Sequence, residues 1–216
     1  MDAGPAEARA VYEATKRVVE LTGTALGLVV ISPVLLGASV AVLASMGRPV
    51  LFQQDRPGLG GKPFRLMKFR TMRAARPGEE GPEFDAARLT RVGRFLRATS
   101  IDELPALFNV LRGDLSLVGP RPLLMRYLPR YSPRQARRHE VRPGITGWAQ
   151  ANGRNSISWE EKFELDVWYV DHRSLLVDAK ILLSTLLKVV RRDGINQEGH
   201  ATMPEFLGSP RIAESA

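Results

Sequence analysis

A run of 26 residues without a charged side chain, residues 21–46, constrains the fold of this chain more than any other feature. A membrane helix needs about 20 apolar residues to cross a hydrocarbon core of roughly 30 Å, so the run is long enough. Ser32-Pro33 divides it, however, into pieces of 11 and 13 residues, each too short to cross alone. Because proline removes a helical hydrogen bond and bends the helix, the pattern predicts a helix, a break and a second helix.

Basic residues flank this run on both sides, with Lys16 and Arg17 before it and Arg48 after it. A simple membrane span places its positive charge mainly on the cytoplasmic side. The symmetric flanks therefore favour a re-entrant hairpin that enters and leaves the membrane on one face. At the break, we expect the Ser32 hydroxyl to bind a backbone carbonyl that Pro33 leaves free.

Three other interpretations of the run remain open. A straight or kinked transmembrane helix tolerates a proline. A cleaved signal peptide is less favoured, because four acidic residues precede the run and the run exceeds a signal core of about 7 to 15 residues. A buried helix of a soluble domain is equally disfavoured, since a chain of 216 residues has little core in which to bury it. We therefore expect membrane association.

Charge and composition narrow the class of partner. The chain has 31 Lys plus Arg against 23 Asp plus Glu, a formal net charge of +8, and no cysteine. This balance predicts an anionic partner, either nucleic acid, a phospholipid surface or a phosphorylated substrate. The lack of cysteine excludes disulfides, thiolate catalysis and cysteine-ligated zinc, and the three histidines lack metal-ligand spacing. A hard cation held by carboxylates and phosphate oxygens remains open.

An arginine-rich stretch, residues 123–144, interleaves six arginines with Leu, Met and Tyr. This composition is typical of a helix in the headgroup region of a membrane that contains anionic lipids. Nucleic-acid binding is the rival interpretation, but the stretch lacks spaced aromatic residues for base stacking. We therefore expect anionic membrane lipids as partners, and no nucleic acid.

The remaining patterns predict an α+β fold that is mostly helical. Its expected parts are the membrane hairpin at residues 1–47, a small globular domain with interfacial amphipathic helices at residues 48–194, and an irregular tail at residues 195–216. Two strand-like pieces, VLFQQ and PFRLMKFRTM, flank the turn-rich sequence RPGLGG and predict a short β-hairpin. Residues 89–98 and 175–190 have the periodicity of amphipathic helices.

Two adjacent acids, Asp102 and Glu103, lie in the block TSIDELPALFNVLRGDLSLVGPRP at residues 99–122. Ser100 and Glu103 have the spacing of a helix capping box. Both acids would then lie at the positive end of a helix dipole, which favours an ionised carboxylate and bound anions. An ionised Asp102 is a competent nucleophile, and the alternative is that both acids only cap the helix. The apolar face of that predicted helix consists of Leu104, Leu107, Phe108 and Leu111.

A second polar stretch, RPGITGWAQANGRN at residues 142–155, carries three glycines and two arginines. Glycine-rich loops bring backbone donors close to an anion, and arginine forks bind phosphate oxygens. A purely structural role for the glycines is the alternative. Together with KFR at residues 68–70, Arg97 and GPRP at residues 119–122, the stretch predicts a multi-site phosphate cradle.

These motifs, KFRTM, the block at residues 99–122 and RPGITGWAQANGRN, together resemble the bacterial sugar transferase family, the small monotopic polyprenyl-phosphate phosphoglycosyl transferases. The resemblance implies transfer of a sugar 1-phosphate from a UDP-sugar to a polyprenyl phosphate, such as undecaprenyl phosphate, with release of UMP. It also implies a monotopic protein on the cytoplasmic face of the bacterial inner membrane. The reaction would be the first membrane step of glycoconjugate assembly.

By the same resemblance, Asp102 is the nucleophile that forms a covalent phosphosugar intermediate, and Glu103 is its acid/base partner. The resemblance places Mg²⁺ near Asp102, phosphates near Arg97 and Arg142, and the uridine beside Pro120-Arg121. The substrate-binding residues that it implies are Lys68, Arg70, Arg97, Pro120, Arg121, Arg142, Gly144, Arg154 and Asn155. The identity of the UDP-sugar and the formation of a homodimer stay open.

Two other classes of function compete with this hypothesis. A non-enzymatic membrane-surface adaptor that binds anionic lipids would explain the charge and the apolar run, but not the Asp-Glu pair. A glycosidase needs two carboxylates on opposite sides of a glycosidic bond, about 5 to 9 Å apart, which adjacent residues do not easily provide.

Overall fold

The structure begins with one long helix, α1 (Pro5–Met46), which continues through Pro33. The computed structural model describes residues 5–79, 81–153, 157–191 and 205–208. The Ser32 hydroxyl donates to the Val29 carbonyl at 2.7 Å, and this is the carbonyl that Pro33 cannot bind, because proline has no backbone N–H. The predicted role of Ser32 is confirmed, whereas the predicted interruption of the helix at Ser32-Pro33 is not observed.

By length and composition, α1 is the kind of helix that can cross a membrane. Its central part exposes large apolar side chains, among them Leu26, Val30 and Leu36. Exposed apolar surface of this extent is unusual for a soluble domain and typical of contact with lipid. The helix therefore supports membrane association, and the re-entrant path stays a prediction.

The polar first half of α1 is fastened to the globular part of the chain. The Lys16 ammonium, which is buried, donates to the Val118 carbonyl at 2.8 Å and to the Asp178 carboxylate at 2.9 Å. One turn later, the Glu20 carboxylate accepts from the backbone N–H of Leu117 at 2.9 Å. These buried charges are paired and hydrogen-bonded, as stable burial requires.

The last turns of α1 contact the same globular part. Ala38 and Val42 pack against Phe69 and Leu96 in one buried apolar cluster. The Arg70 guanidinium donates to the Gly47 carbonyl at 2.9 Å, just beyond the end of the helix. Both flanks of the uncharged run are thus attached to one folded unit.

A β-hairpin follows the helix. Strand β1 (Leu51–Pro57) pairs antiparallel with β2 (Pro63–Phe69), and a 3₁₀ turn at Leu59–Gly61 joins them. The predicted hairpin is therefore confirmed.

Short elements and two longer helices make up the rest of the described chain. The helices are α2 (Asp85–Arg88), α3 (Arg91–Ala98), α4 (Ala106–Arg112), α5 (Pro133–Ala136), α6 (Trp148–Asn152), α7 (Trp159–His172) and α8 (Leu175–Arg191). Further 3₁₀ turns are Pro82–Phe84, Ile101–Glu103, Met125–Arg130 and Arg137–His139. Strands β3 (Ser116–Val118) and β4 (Gly144–Thr146) pair in parallel. The mostly helical α+β composition is confirmed.

Glycines allow the loops beside β3 and β4 to approach each other closely. A Cβ atom on Gly119 would lie 2.4 Å from the Arg142 carbonyl oxygen, and one on Gly144 would lie 2.1 Å from the Gly119 nitrogen. Neither distance can accommodate a side chain. At these positions the structure supports the structural alternative for the glycine-rich stretch.

The predicted capping box at Ser100 and Glu103 is wrong. Ser100 has a positive φ of 55° and its side chain makes no capping hydrogen bond. Residues Ile101–Glu103 form a 3₁₀ turn ahead of α4, and α4 buries Asn109 and Val110 rather than the predicted leucine face. The Glu103 side chain instead pairs with Lys68, a basic residue distant in sequence.

The arginine-rich stretch does not form the expected single helix. Pro129 and Pro133 divide it, and it folds as the 3₁₀ turn Met125–Arg130, α5 and the 3₁₀ turn Arg137–His139. Most of its arginines pair with carboxylates of the same chain, so their charge is largely balanced internally. The pairs are Arg126–Glu205, Arg130–Glu205, Arg134–Glu164, Arg137–Asp171 and Arg138–Asp166.

The predicted tail at residues 195–216 lies outside the described residues except for residues 205–208. Phe206 is buried there against Tyr127 of the 3₁₀ turn Met125–Arg130 and Phe163 of α7.

One ion pair of the arginine-rich stretch is fully buried. The Arg138 guanidinium binds the Asp166 carboxylate at 2.6 Å, and their side chains are only 1% and 2% exposed. Arg138 also donates to the Arg121 carbonyl at 2.8 Å and so supports the loop that follows β3.

We predict that Asp166→Ala lowers the free energy of unfolding by about 3 to 5 kcal/mol, because it leaves a buried guanidinium without its counter-charge. The measurement is denaturant unfolding of the purified protein in detergent. Asp171→Ala is the matched control on the same helix, where the carboxylate is 41% exposed, and we expect little change. Equal effects of the two substitutions would contradict the prediction.

Candidate active site

Glu103 is held between two basic side chains that come from different parts of the fold. Its carboxylate lies 2.6 Å from the Lys68 ammonium on β2 and 2.6 Å from the Arg121 guanidinium in the loop after β3. Burial raises the pKa of Glu103, but Arg121 and Lys68 outweigh that effect and lower it far below its usual range. Glu103 is therefore a permanent anion in this arrangement.

These three side chains line an open pocket of about 490 Å³. Its charged wall also includes Arg56, and its apolar wall lies between β2, α4 and the loops beside β3 and β4. The other lining residues are Leu66, Ala106, Leu115, Pro122, Leu123, Gly144 and Ile145. A pocket that combines a cationic wall with an apolar wall suits a phosphorylated ligand with an apolar or aromatic part.

Asp102 immediately precedes Glu103 on the same 3₁₀ turn, but its carboxylate is in a different state. No hydrogen bond or ion pair from the described residues fixes it. Burial and the charge of Glu103 raise the pKa of Asp102 to about 6, while Lys68, Arg97 and Arg121 lower it. The expected stabilisation of the ionised form by a helix dipole does not dominate. Asp102 is nevertheless mostly ionised at neutral pH and free to react.

Two further predicted residues lie close to this pair. Arg97, on α3, is near enough to lower the pKa of Asp102, and its Nε donates to the Thr71 hydroxyl at 3.1 Å. The Pro120 carbonyl accepts from the Gly144 N–H at 3.0 Å, which ties the loop before Arg121 to β4. The structure thus places Lys68, Arg97 and Arg121 close to the acids and Gly144 in the pocket lining, with Pro120 bound to Gly144.

Arg70 and Arg142 have other contacts. Arg70 binds carbonyls at the end of α1, as described above. The Arg142 Nε donates to the Gly113 carbonyl at 3.1 Å, just after α4, where the Arg17 guanidinium also donates to Val110 O at 2.8 Å. Arginines stabilise a helix at its carboxyl end in this way. A phosphate-binding role for Arg70 or Arg142 stays a prediction that this pocket does not support.

Two predicted residues, Arg154 and Asn155, lie outside the described residues.

Arg56 is a pocket residue that sequence reasoning missed. It lies in RPGLGG, which the sequence predicts to be a turn, although Arg56 belongs to β1 and its guanidinium donates to the Gln54 side chain at 2.6 Å. The available signal was the alternation of Gln54 and Arg56, which places both side chains on one face of a strand.

The described residues contain no cluster of three or more Asp, Glu, His or Cys side chains that could cage a metal ion. Glu103 is already bound to two cations, so Asp102 is the free carboxylate of the pair. A single carboxylate fits Mg²⁺, which is commonly bound through one or two carboxylates together with substrate phosphates and water.

Comparison with known proteins is consistent with this geometry. The family model for bacterial sugar transferases matches residues 11–192. The chain is 57% identical to the uncharacterized sugar transferase EpsL of Bacillus subtilis (strain 168), over 92% of this chain and 98% of that protein. It is 41% identical to a UDP-glucose:undecaprenyl-phosphate glucose-1-phosphate transferase of Caulobacter vibrioides, over 86% of this chain and 73% of that protein.

A more distant relative is the UDP-N-acetylgalactosamine-undecaprenyl-phosphate N-acetylgalactosaminephosphotransferase of Aeromonas hydrophila. The two are 35% identical over 83% of this chain, which corresponds to 44% of that longer protein. The family match spans most of α1, the hairpin, both acids and all of α8. The chain therefore belongs to the bacterial sugar transferase family.

Proposed function

We propose that this protein transfers a sugar 1-phosphate from a UDP-sugar to a polyprenyl phosphate such as undecaprenyl phosphate, with release of UMP. The observation that carries the proposal is the Asp102 carboxylate, which no described residue pairs with, directly before Glu103 in the wall of the pocket that Lys68, Arg121 and Arg56 also line. Relatives whose names specify this class of reaction support it. The reaction would begin glycoconjugate assembly at the membrane.

In the first step, an Asp102 carboxylate oxygen attacks the phosphorus atom that carries the sugar. A bond forms between Asp102 and that phosphorus, and the bond to the bridging oxygen of the diphosphate breaks, so that UMP leaves with the electron pair. Attack of an anion on an anion requires neutralisation of the phosphate oxygens. Lys68, Arg97 and Arg121, which already act electrostatically on Asp102, provide it.

In the second step, a phosphate oxygen of the polyprenyl phosphate attacks the same phosphorus and releases Asp102. Covalent catalysis of this kind lets a soluble nucleotide and a membrane lipid use one site in turn. The geometry does not favour Glu103 as the base, because Lys68 and Arg121 already bind its carboxylate at 2.6 Å each and lower its pKa. A phosphate monoester has a second pKa of about 6, so the acceptor is largely a dianion without such help. Glu103 instead positions Lys68 and Arg121.

We include Mg²⁺ in the proposal as the resident cation. Asp102 would contribute a carboxylate oxygen, and the substrate diphosphate and water would complete the coordination. When bound, the ion supplies further neutralisation of phosphate charge.

The proposed location is the cytoplasmic face of the bacterial inner membrane, in a monotopic arrangement. The support is that both flanks of the uncharged run contact one folded unit: Lys16 and Glu20 before it, Val42 and Gly47 at its end. If α1 crossed the bilayer, its two ends would lie on opposite sides of the membrane and could not both contact the same folded unit. The exposed apolar side chains of α1 would face lipid, and so would those of α8, such as Leu176 and Leu183. Anionic lipids and a homodimer stay predictions.

The first test concerns the nucleophile. Asp102→Asn should reduce UMP release from a UDP-sugar by at least about 10³-fold, because the amide is not a nucleophile. Glu103→Gln should cost about 10²-fold, because it misplaces Lys68 and Arg121. Asp55→Asn, at a carboxylate 66% exposed on β1, should leave the rate unchanged. UMP release that survives Asp102→Asn would exclude the assignment, and no release by wild type would favour the adaptor.

The second test concerns pH. The reactive form of Asp102 is the carboxylate, which is lost by protonation below a pKa of about 6. We expect kcat/KM for the UDP-sugar to fall about tenfold per pH unit below that value. In Glu103→Gln the residual profile should shift to lower pH, because the substitution removes a negative neighbour and frees Lys68 and Arg121. A shift to higher pH would contradict the account.

The third test concerns the topology of α1. The sequence contains no cysteine, so maleimide labels only the cysteines that are introduced. Single cysteines at Glu7 and Arg48, exposed positions on the two sides of the run, are treated with a membrane-impermeant maleimide. Glu160→Cys on α7 marks the side of the globular part. We expect all three to react in inverted vesicles and none in intact spheroplasts. Reaction of Glu7→Cys and Arg48→Cys from opposite sides would exclude the re-entrant model.

A further inference from the structure

Arg56 is a third cation in the wall of the candidate active site. It lies on β1, next to the turn of the hairpin, and lines the pocket with Lys68 and Arg121. Arg56 and Arg121 are close enough to repel each other: burial and the charge of Arg121 lower the pKa of Arg56 to about 10. The guanidinium is therefore still a full cation at neutral pH.

Arg56 differs from the other two cations in having no counter-charge. Lys68 and Arg121 share the Glu103 carboxylate. Within the described residues, Arg56 takes part in no ion pair; its guanidinium donates to the neutral Gln54 amide, and its buried Nε has no hydrogen-bond partner. Leaving a partly buried charge unpaired is costly, and an anionic ligand offsets that cost.

We infer that Arg56 is a substrate-binding residue whose guanidinium binds a phosphate oxygen in this pocket. The inference rests on the proposed function, which brings two phosphate-bearing substrates to the same site. A planar guanidinium with free N–H groups matches the geometry of a phosphate better than an ammonium does. The shared chemistry is a phosphoryl oxygen, from the diphosphate of the UDP-sugar or from the phosphate of the polyprenyl acceptor.

The hairpin offers a matched control. Arg65 lies on β2 opposite Asp55, but its side chain is 77% exposed and points away from the pocket lining. Substitution of Arg65 removes the same charge from the same hairpin without touching the pocket. We therefore compare three substitutions: Arg56→Gln, Arg56→Lys and Arg65→Gln. The comparison distinguishes binding of a ligand in the pocket from the long-range attraction that any positive charge on the hairpin would exert.

The experiment measures UMP release while the UDP-sugar and undecaprenyl phosphate are varied in turn, together with calorimetric binding of UDP to each variant. Arg56→Gln should raise KM for one of the two substrates by about tenfold to a hundredfold, the range expected for a charge-assisted hydrogen bond. Arg56→Lys should show a smaller rise, and Arg65→Gln none. A rise for the UDP-sugar with weaker UDP binding identifies the diphosphate, and a rise for undecaprenyl phosphate alone identifies the acceptor.

Unchanged KM values for both substrates in Arg56→Gln, or an equal rise in Arg65→Gln, would overturn the inference. If Arg56→Gln does not fold, Arg56→Lys decides, since it keeps the charge and loses the planar fork. Failure of the proposed function is a different result, namely no UMP release by wild type. In that case, UDP binding that is unaffected by Arg56→Gln overturns the inference, and binding that it weakens supports it.

Discussion

The site depends on one interaction: the Glu103 carboxylate forms ion pairs with both Lys68 and Arg121. Lys68 lies on the hairpin, Glu103 on the turn before α4, and Arg121 after β3, so the carboxylate joins three segments that are far apart in sequence. Because these ion pairs occupy the Glu103 carboxylate, Asp102 is the acid that can react. Two neighbouring carboxylates thereby acquire opposite pKa shifts and separate roles.

The long apolar helix α1 is an integral part of the folded unit, because both of its flanks contact the segments that carry the site. Glu20 on α1 accepts from the backbone of β3, and the chain leads from β3 directly to Arg121. At the other flank, Arg70 holds the end of α1 and is two residues after Lys68. The contacts that fasten α1 are thus adjacent in sequence to both cations that hold Glu103, which fixes the position of the acids relative to the apolar surface.

Local motifs predicted the β-hairpin and the helical character of the uncharged run, because both depend on neighbouring residues, but the predicted break at Ser32-Pro33 is absent and α1 is continuous. The capping box at Ser100 failed for a tertiary reason: Glu103 is drawn to distant cations, whereas the same pattern at Ser158 and Glu161 forms a true capping box. The family resemblance places Arg142 near a phosphate, but in the fold its guanidinium binds the Gly113 carbonyl at the end of α4. Arg56 was missed because only the fold reveals which arginine lacks a counter-charge.

The most direct test of the central claim is mass spectrometry of the protein after incubation with a UDP-sugar in the absence of polyprenyl phosphate. The account predicts a mass increase of one sugar phosphate on the tryptic peptide of residues 98–112. Fragmentation should place it on Asp102, and addition of undecaprenyl phosphate should remove it. An adduct on another residue would contradict the account. So would the absence of any adduct before the acceptor is added, if the same protein then turns over once undecaprenyl phosphate is supplied.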